Sequence, residues 1–533
     1  MTCVRSVSRD VRVRRKSRRR HTLAAESSRR LTRPVNRGAI VLLYRCRAII
    51  VGAATFLLVD CRAPDAAVAH HGLLDARDRE PGSLDPVRGA STSPRVISYL
   101  FEGLTRERDG LIEPALAVQW DVDPRLQRWT FHLRGGVRFH DGTPLSAPIV
   151  RASLSRALAV PQLGTPPVER LEAPDDSTVV ISLRAPFAPF AAVLATPTTA
   201  IVRDTMRPAA RGAASGTGPW TLVRWLPGRE LQLAANRSYW GGRPVEDSLM
   251  LRVGGGRSAA AFHAGEVDAI VVTDSEAGSW AQTDERDANL RLSSPTMLWF
   301  VAINTARGRL RDPTVRRALN VAVDRAALLR QFAFGRGVLA TGVIPPGLAG
   351  ANSTRAPVAF DSVLARRLLN TERNADTLRL ELLTPAAAPY AALAAAIGRA
   401  LGGAGVAVRI VTLQPAALAR RVAAGDADLV LGTWTPAYPD ADGSLFPLLH
   451  SSSRGEGGNA SYYGSPEVDD LIVRARREPD DSARTSLSHR ADAVAFGDAP
   501  MILLYFTGEL AAVQPWMSGF DDRDRWLRAR IAR

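Results

Sequence analysis

Three cysteines, eight histidines, one lysine and a loop with two closely spaced carboxylates are the features of this 533-residue chain that could carry chemistry. Cys3, Cys46 and Cys61 all fall within the first 61 residues. The rest of the chain therefore holds no thiolate nucleophile, thiolate zinc site or disulfide. Lys16 is the sole lysine, which removes a phosphate-loop lysine and a Schiff-base lysine from the main body. His132 and His140 are separated by a strand-turn-strand pattern rather than one helical turn, so they read as structural histidines and not as a metal pair. His70-His71 reads as solvated linker. Gly254-Gly255-Gly256 lacks the dinucleotide-binding spacing, and neither a G-x-S-x-G elbow nor an H-E-x-x-H helix occurs. Asp440 and Asp442 are two carboxylates of a kind common on loops. Trp434 and Tyr438 stand just before them and offer flat apolar walls with a polar edge, suited to an adaptable pocket or to capping a core strand. Tyr505, near the end of an apolar run, reads as pocket wall or core. No cofactor, no metal and no catalytic set are expected; a hydrolase stays open as an alternative, because folding can bring a nucleophile to a base.

Alternation of apolar and polar residues predicts strands at 129–134, 137–139, 178–183, 220–225, 230–234, 248–253 and 269–272. Helices are expected at 91–104, 143–157, 258–264, 314–323, 325–334, 362–369, 390–402, 415–424, 466–477 and 481–496. Strands at 378–383, 407–412, 429–433 and 501–506 alternate with the later helices. Such alternation predicts an α/β protein with mixed sheets. The length fits two to four domain-sized units.

The formal charge is +16, which on a folded surface would suggest a nucleic-acid or anionic-membrane partner. It is concentrated at one end. Residues 1–61 carry 15 basic against 3 acidic side chains, leaving 54 against 50 for everything else. An Arg-rich leader precedes an apolar run from Ala48 to Val59, too short at 1.5 Å per residue for a ~30 Å hydrocarbon core. This reads as an export signal. Cys61 follows directly and is a candidate for lipidation, although Asp60 is neither small nor uncharged; cleavage near Ala66 to Ala69 is the competing route. Translation starting downstream, or a disordered basic leader, is the plainer reading of residues 1–38, and no helix-turn-helix pattern supports a DNA-binding arm.

Several blocks in collinear order carry a resemblance over about Leu84 to Gly519. They are Leu84-Asp85-Pro86, Tyr99 to Leu104, Pro114 to Ala117 with Trp120, Thr130 to Leu145, Gly216 to Trp220 and Asn236 to Gly242. Asn304-Thr305, Asp312 to Leu319, Ala322 to Arg325, Gly432 to Asp442 and Asp498 to Pro500 complete the set. The ensemble resembles the family 5 extracellular solute-binding proteins, the oligopeptide, dipeptide and nickel receptors of ABC importers.

That resemblance implies a two-lobed, periplasmic-binding-protein-like clamp with an additional small domain, closing by a hinge on a small-molecule or peptide ligand. It implies lobe I from 71–97, 176–275 and 505–533, an accessory domain at 98–175 and lobe II at 276–504, after a leader and linker at 1–70. It also implies an ABC permease as partner, location in the periplasm or on the extracellular face of the membrane, a monomer, and no nucleic acid; a lipid anchor would rest on Cys61. Trp299 stands where relatives often carry a ligand-facing aromatic. Peptide receptors of this family usually place an aspartate just before the tyrosine of the Tyr438-Pro439-Asp440 segment, to pair with the ligand's α-ammonium. Here that position is Ala437. Either Asp440 or Asp442 substitutes, or the ligand brings no free amine there. A ligand-sensing regulator using the same clamp is the alternative from another class.

Overall fold

The computed structural model describes residues 73–531, except 78–79, 90–93, 161–164, 204–214, 254–257, 273–288, 371–376, 388, 456–457 and 522–525. Cys61, Lys16, His70-His71 and the leader lie outside the described residues, as does the start of the helix expected at 91–104.

Two large sheets organise the chain. The first has seven strands in the order Asn289–Leu292, Leu510–Val513, Ala269–Val272, Leu73–Arg77, Ser248–Val253, Glu230–Ala235 and Trp220–Leu226. Leu73–Arg77 runs parallel to both its neighbours, and the other pairings are antiparallel. The second has six strands in the order Val338–Leu339, Met501–Thr507, Met297–Ile303, Leu429–Trp434, Arg379–Pro385 and Ala407–Leu413. A smaller antiparallel sheet of four strands joins Ala117–Val122, Arg128–Leu133, Thr178–Leu183 and Val168–Glu172, with helix Ala147–Leu158 packed on it. The α/β class and most boundaries follow the sequence reading within one to three residues.

Three departures have physical causes. Residues 137–139 form only an isolated bridge from Arg138 to Pro144, since the segment is pinned by turns at both ends. The helix expected from Thr143 starts at Ala147 with Pro148 in its first turn, where the missing N–H costs nothing. Met297–Ile303, the central strand of the six-stranded sheet, was not among the predicted strands. Trp299, Val301 and Ile303 face helices on one side, while Leu298, Phe300 and Ala302 face helices on the other. With both faces covered, the run is continuously apolar and shows no period of two.

The family-like blocks turn out to be largely scaffold. Glu102, 4% exposed, accepts from Thr217 Oγ1 (2.9 Å), Tyr239 Oη (2.7 Å) and Trp240 Nε1 (2.9 Å), so three separate blocks meet on one buried carboxylate. His140 accepts from Gly216 N at Nδ1 (3.3 Å), which leaves Nε2 to donate to the Gly218 carbonyl (3.0 Å). His132 instead pairs with Asp121 at 2.9 Å. Each ring has its own partners, and among the described residues no group of three or more metal-ligating side chains occurs.

The chain crosses between the two large sheets twice, from Leu292 to Met297 and from Thr507 to Leu510. The crossings run side by side: Ser293 N donates to the Glu509 carbonyl (2.9 Å), and Glu509 N donates to Ser293 Oγ (2.8 Å). A β-carbon on Gly508 would lie 2.3 Å from the Ser293 carbonyl oxygen. Gly508→Ala must therefore push the crossings apart. The expected loss is roughly 2 kcal/mol of stability, read as a lowered urea midpoint; an unchanged midpoint would show that the crossing relaxes freely.

Candidate functional site

The two crossings leave the six-stranded sheet from one end, and that end gathers all six candidate residues of the main body. The register places Trp299 opposite Thr433 on one side and Tyr505 on the other, with Leu298 opposite Trp434. Trp299, 6% exposed, donates its indole N–H to Thr507 Oγ1 at 3.1 Å. Its ring lies 5.1 Å from Tyr390 and 6.2 Å from Tyr505. Tyr390 hydrogen-bonds the Thr433 hydroxyl at 3.0 Å, completing an aromatic cluster on one face. Trp434 lies on the other face, where its Nε1 donates to the Gly443 carbonyl at 3.0 Å. Trp299 and Tyr505 are thus buried members of the sheet's packing, while Trp434 remains half-exposed.

After Trp434 the chain leaves the sheet through Thr435 to Ala441 and enters helix Asp442–Leu449. Tyr438 is not a free wall: it is 1% exposed and packs in the core of the four-stranded sheet, its ring edge-on to Phe187 at 6.1 Å. Its hydroxyl donates to Asp442 Oδ2 at 2.5 Å. Asp442 Oδ1 faces Arg476 Nε at 3.3 Å. The Arg476 guanidinium is itself sandwiched, 4.0 Å from the Phe446 ring and 4.9 Å from the Phe187 ring, while its carbonyl accepts from Ala188 N at 2.8 Å. Asp440 accepts from Arg484 Nη1 at 2.5 Å and from its neighbour Asp442 N at 2.9 Å. Ala437 is exposed.

Burial raises the Asp442 carboxyl to about 6, against the opposing pull of Arg476 and the Tyr438 hydrogen bond. Burial, reinforced by the adjacent carboxylate, pushes the Tyr438 phenol well above its ordinary value, so it stays a neutral donor. Both acids of the loop thus face the chain's own arginines, with Arg476 Nε and Nη2 buried and making no hydrogen bond.

Arg476, Arg484, Phe187 and Tyr390 escaped the sequence reading. The arginines lie 34 and 44 residues beyond the acids they neutralise, and nothing in local spacing announces them. Beside the same sheet end, a cavity of about 540 Å³ opens between the Val338–Phe506 edge, the 341–353 segment and the tip of hairpin Thr105–Pro114. That volume falls within the ~300–1,000 Å³ usual for small-molecule sites. None of the six candidate residues lines it. The hairpin tip touches the far wall, since a β-carbon on Gly110 would lie 2.0 Å from the Gly347 carbonyl oxygen.

The family described as bacterial extracellular solute-binding proteins, family 5 (middle region), matches residues 112–456. The probable D,D-dipeptide-binding periplasmic protein DdpA of Escherichia coli (strain K12) is 26% identical over 478 residues, covering 85% of this chain and 92% of the relative. The glutathione-binding protein GsiB of the same strain is 26% identical over 513 residues, covering 90% and 96%. The structure of HbpA2 from Haemophilus parasuis superposes with a TM-score of 0.77 at 22% identity, over 86% of this chain and 99% of that one. The two-lobed solute-binding fold is thereby shown, and the regulator and hydrolase alternatives find no support. The chain belongs to family 5 of the bacterial extracellular solute-binding proteins, the receptors that hand small solutes to ABC permeases.

Proposed function

We propose that this receptor takes a peptide-like solute whose α-amine is blocked or absent at the Ala437 position, and that it works as an exported, lipid-anchored monomer. The observation that carries the ligand class is the pairing of both acids of the 434–442 loop with arginines of the chain itself. Asp440 is matched by Arg484 and Asp442 by Arg476 and Tyr438, so neither carboxylate is left to balance an incoming ammonium. Trp434, half-exposed beside exposed Ala437, is the contact surface we assign to the ligand, with Trp299 and Tyr505 supporting it from behind. Sheet membership supports a three-part division in which the accessory domain, expected at 98–175, extends to Leu183, because Thr178–Leu183 pairs with Arg128–Leu133, while Tyr99 to Phe101 pack in the core of the seven-stranded sheet. The paired crossings at 292–297 and 507–510 are the hinge of this reading.

Mass spectrometry of small molecules that co-purify with the native protein tests the ligand class: blocked or amine-free compounds are expected, and a pool made only of free-amine peptides overturns it. Ala437→Asp supplies the missing counter-charge at an exposed position. It is expected to tighten binding of free-amine dipeptides roughly fivefold, the scale of an exposed ion pair, measured by calorimetry. N-terminal sequencing of the mature protein checks export; a chain beginning near Cys61 or Ala69 is expected, and an intact leader in the cytoplasm defeats it.

A further inference from the structure

A second cavity, of about 340 Å³, lies between helices Pro313–Val321, Ser362–Leu369 and Asp481–Asp498 and the strand Met501–Thr507. Its volume is about eleven waters at ~30 Å³ each, at the small end of the range for organic ligands. The walls are apolar, and Val321, Leu364, Leu368 and Phe496 are left half-exposed along them. The segment that contributes Val358 and Leu364 also carries Phe360 and Val363, 51% and 61% exposed. Such side chains gain by being covered.

The charged groups of the lining are unbalanced. Asp492 is satisfied, accepting from Val343 N (2.8 Å) and from Arg355 Nη1 (2.7 Å). Arg325, 3% exposed, donates only to neutral oxygens: the Leu503, Asn320, Val323 and Val358 carbonyls and Asn320 Oδ1. The acid next to it, Asp324, is occupied in capping its helix through Ala327 N. Arg317, exposed on the helix above, donates Nε to the Gly497 carbonyl at 3.2 Å and has no carboxylate partner among the described residues. One buried and one exposed guanidinium thus border an apolar chamber with no carboxylate in contact with either among the described residues, Asp324 acting on Arg325 only from a distance. Burial draws Arg325 down to about 10, against the opposing pull of Asp324.

We propose that this cavity is a second ligand site, separate from the 434–442 loop, for a small apolar carboxylate such as a medium-chain alkanoate, its chain against Val321, Leu368 and Phe496 and its carboxylate toward Arg317 and Arg325. The pairing places an apolar tail on half-exposed apolar walls and a single negative charge beside two unmatched positive ones. A neutral ligand would leave the charges as they are, and a cationic one would be repelled.

Titration calorimetry of the full chain with octanoate, octanol and octylamine tests this. Saturable binding of octanoate, at least tenfold tighter than octanol and with no heat from octylamine, is expected. Arg317→Gln, at an exposed position that folding tolerates, is expected to weaken octanoate at least fivefold; Val321→Phe, which fills the chamber from its half-buried wall, is expected to abolish it. Octanol binding as well as octanoate, or octanoate binding unaltered in Val321→Phe, overturns the site. Either result leaves the ligand class proposed for the 434–442 loop untouched, since that class is read from co-purified solutes.

Discussion

Replacing Arg476 by alanine is expected to lower the stability of the folded chain by about 3–5 kcal/mol at pH 7, the usual cost of removing one partner from a buried ion pair. The side chains of Asp442 and Arg476 are only 7% and 14% exposed. Without the guanidinium, Asp442 keeps a single donor, the Tyr438 hydroxyl. The two ring contacts with Phe446 and Phe187 go as well, and each is worth up to ~2 kcal/mol when desolvated. Lysine cannot replace arginine here, because only a planar guanidinium lies flat between two rings. Urea unfolding of Arg476→Ala and Arg476→Lys at pH 7 measures both effects, and a loss under about 1 kcal/mol in the alanine variant would sink the account. The deficit should shrink at pH 4.5, where the stranded carboxyl is protonated and needs no cation.

The second large effect is a pH dependence opposite to ordinary acid denaturation. Burial raises the Asp442 carboxyl from 3.8 to about 6 in the folded chain. The folded state therefore binds this proton more tightly than the unfolded state does. Below both values the group is protonated in either state and costs nothing. As pH rises through about 4 to 6 the folded chain must ionise a buried acid that the unfolded chain ionises in water, and stability falls by about 3 kcal/mol. Above that window the loss is complete and the curve flattens. Burial shifts Asp492 in the same direction, so it adds to the slope. Asp442→Asn removes the titration: the difference in unfolding free energy between the variant and the wild type should change by about 2 kcal/mol between pH 4 and pH 7. A difference that stays constant across that range rules out a raised carboxyl.

How much of this was readable in the residues depends on the distance over which each contact acts. Helices such as Ser362–Leu369 and strands such as Ser248–Val253 were placed to the residue, because periodicity and end signals are local. Met297–Ile303 was missed for the reason that makes it central: a strand covered on both faces loses the alternation by which strands are recognised. At the candidate site the residue types were legible and their roles were not. Tyr438 looked like a wall for a ligand, yet it is committed to Phe187, some 250 residues earlier in the chain. Asp440 and Asp442 looked available to a cation, and Arg484 and Arg476 had already taken them.

The residue counts alone established that the charge of +16 resides mostly in the leader and that cysteine and lysine chemistry is missing from the main body, while the ordered blocks carried a resemblance to a solute-binding family. Those conclusions need only counts and short spacings. What the tertiary structure decided is how the blocks are spent. Most are scaffold, converging on Glu102 and on the backbone oxygens that Arg316 and Arg325 hold. The 434–442 loop carries its own counter-charges, because sheet order and helix packing bring Arg476 and Arg484 to it. Buried charge must be matched by whatever the fold places within a few ångströms, and that neighbourhood is set by the order of strands in a sheet, which no local stretch of residues records.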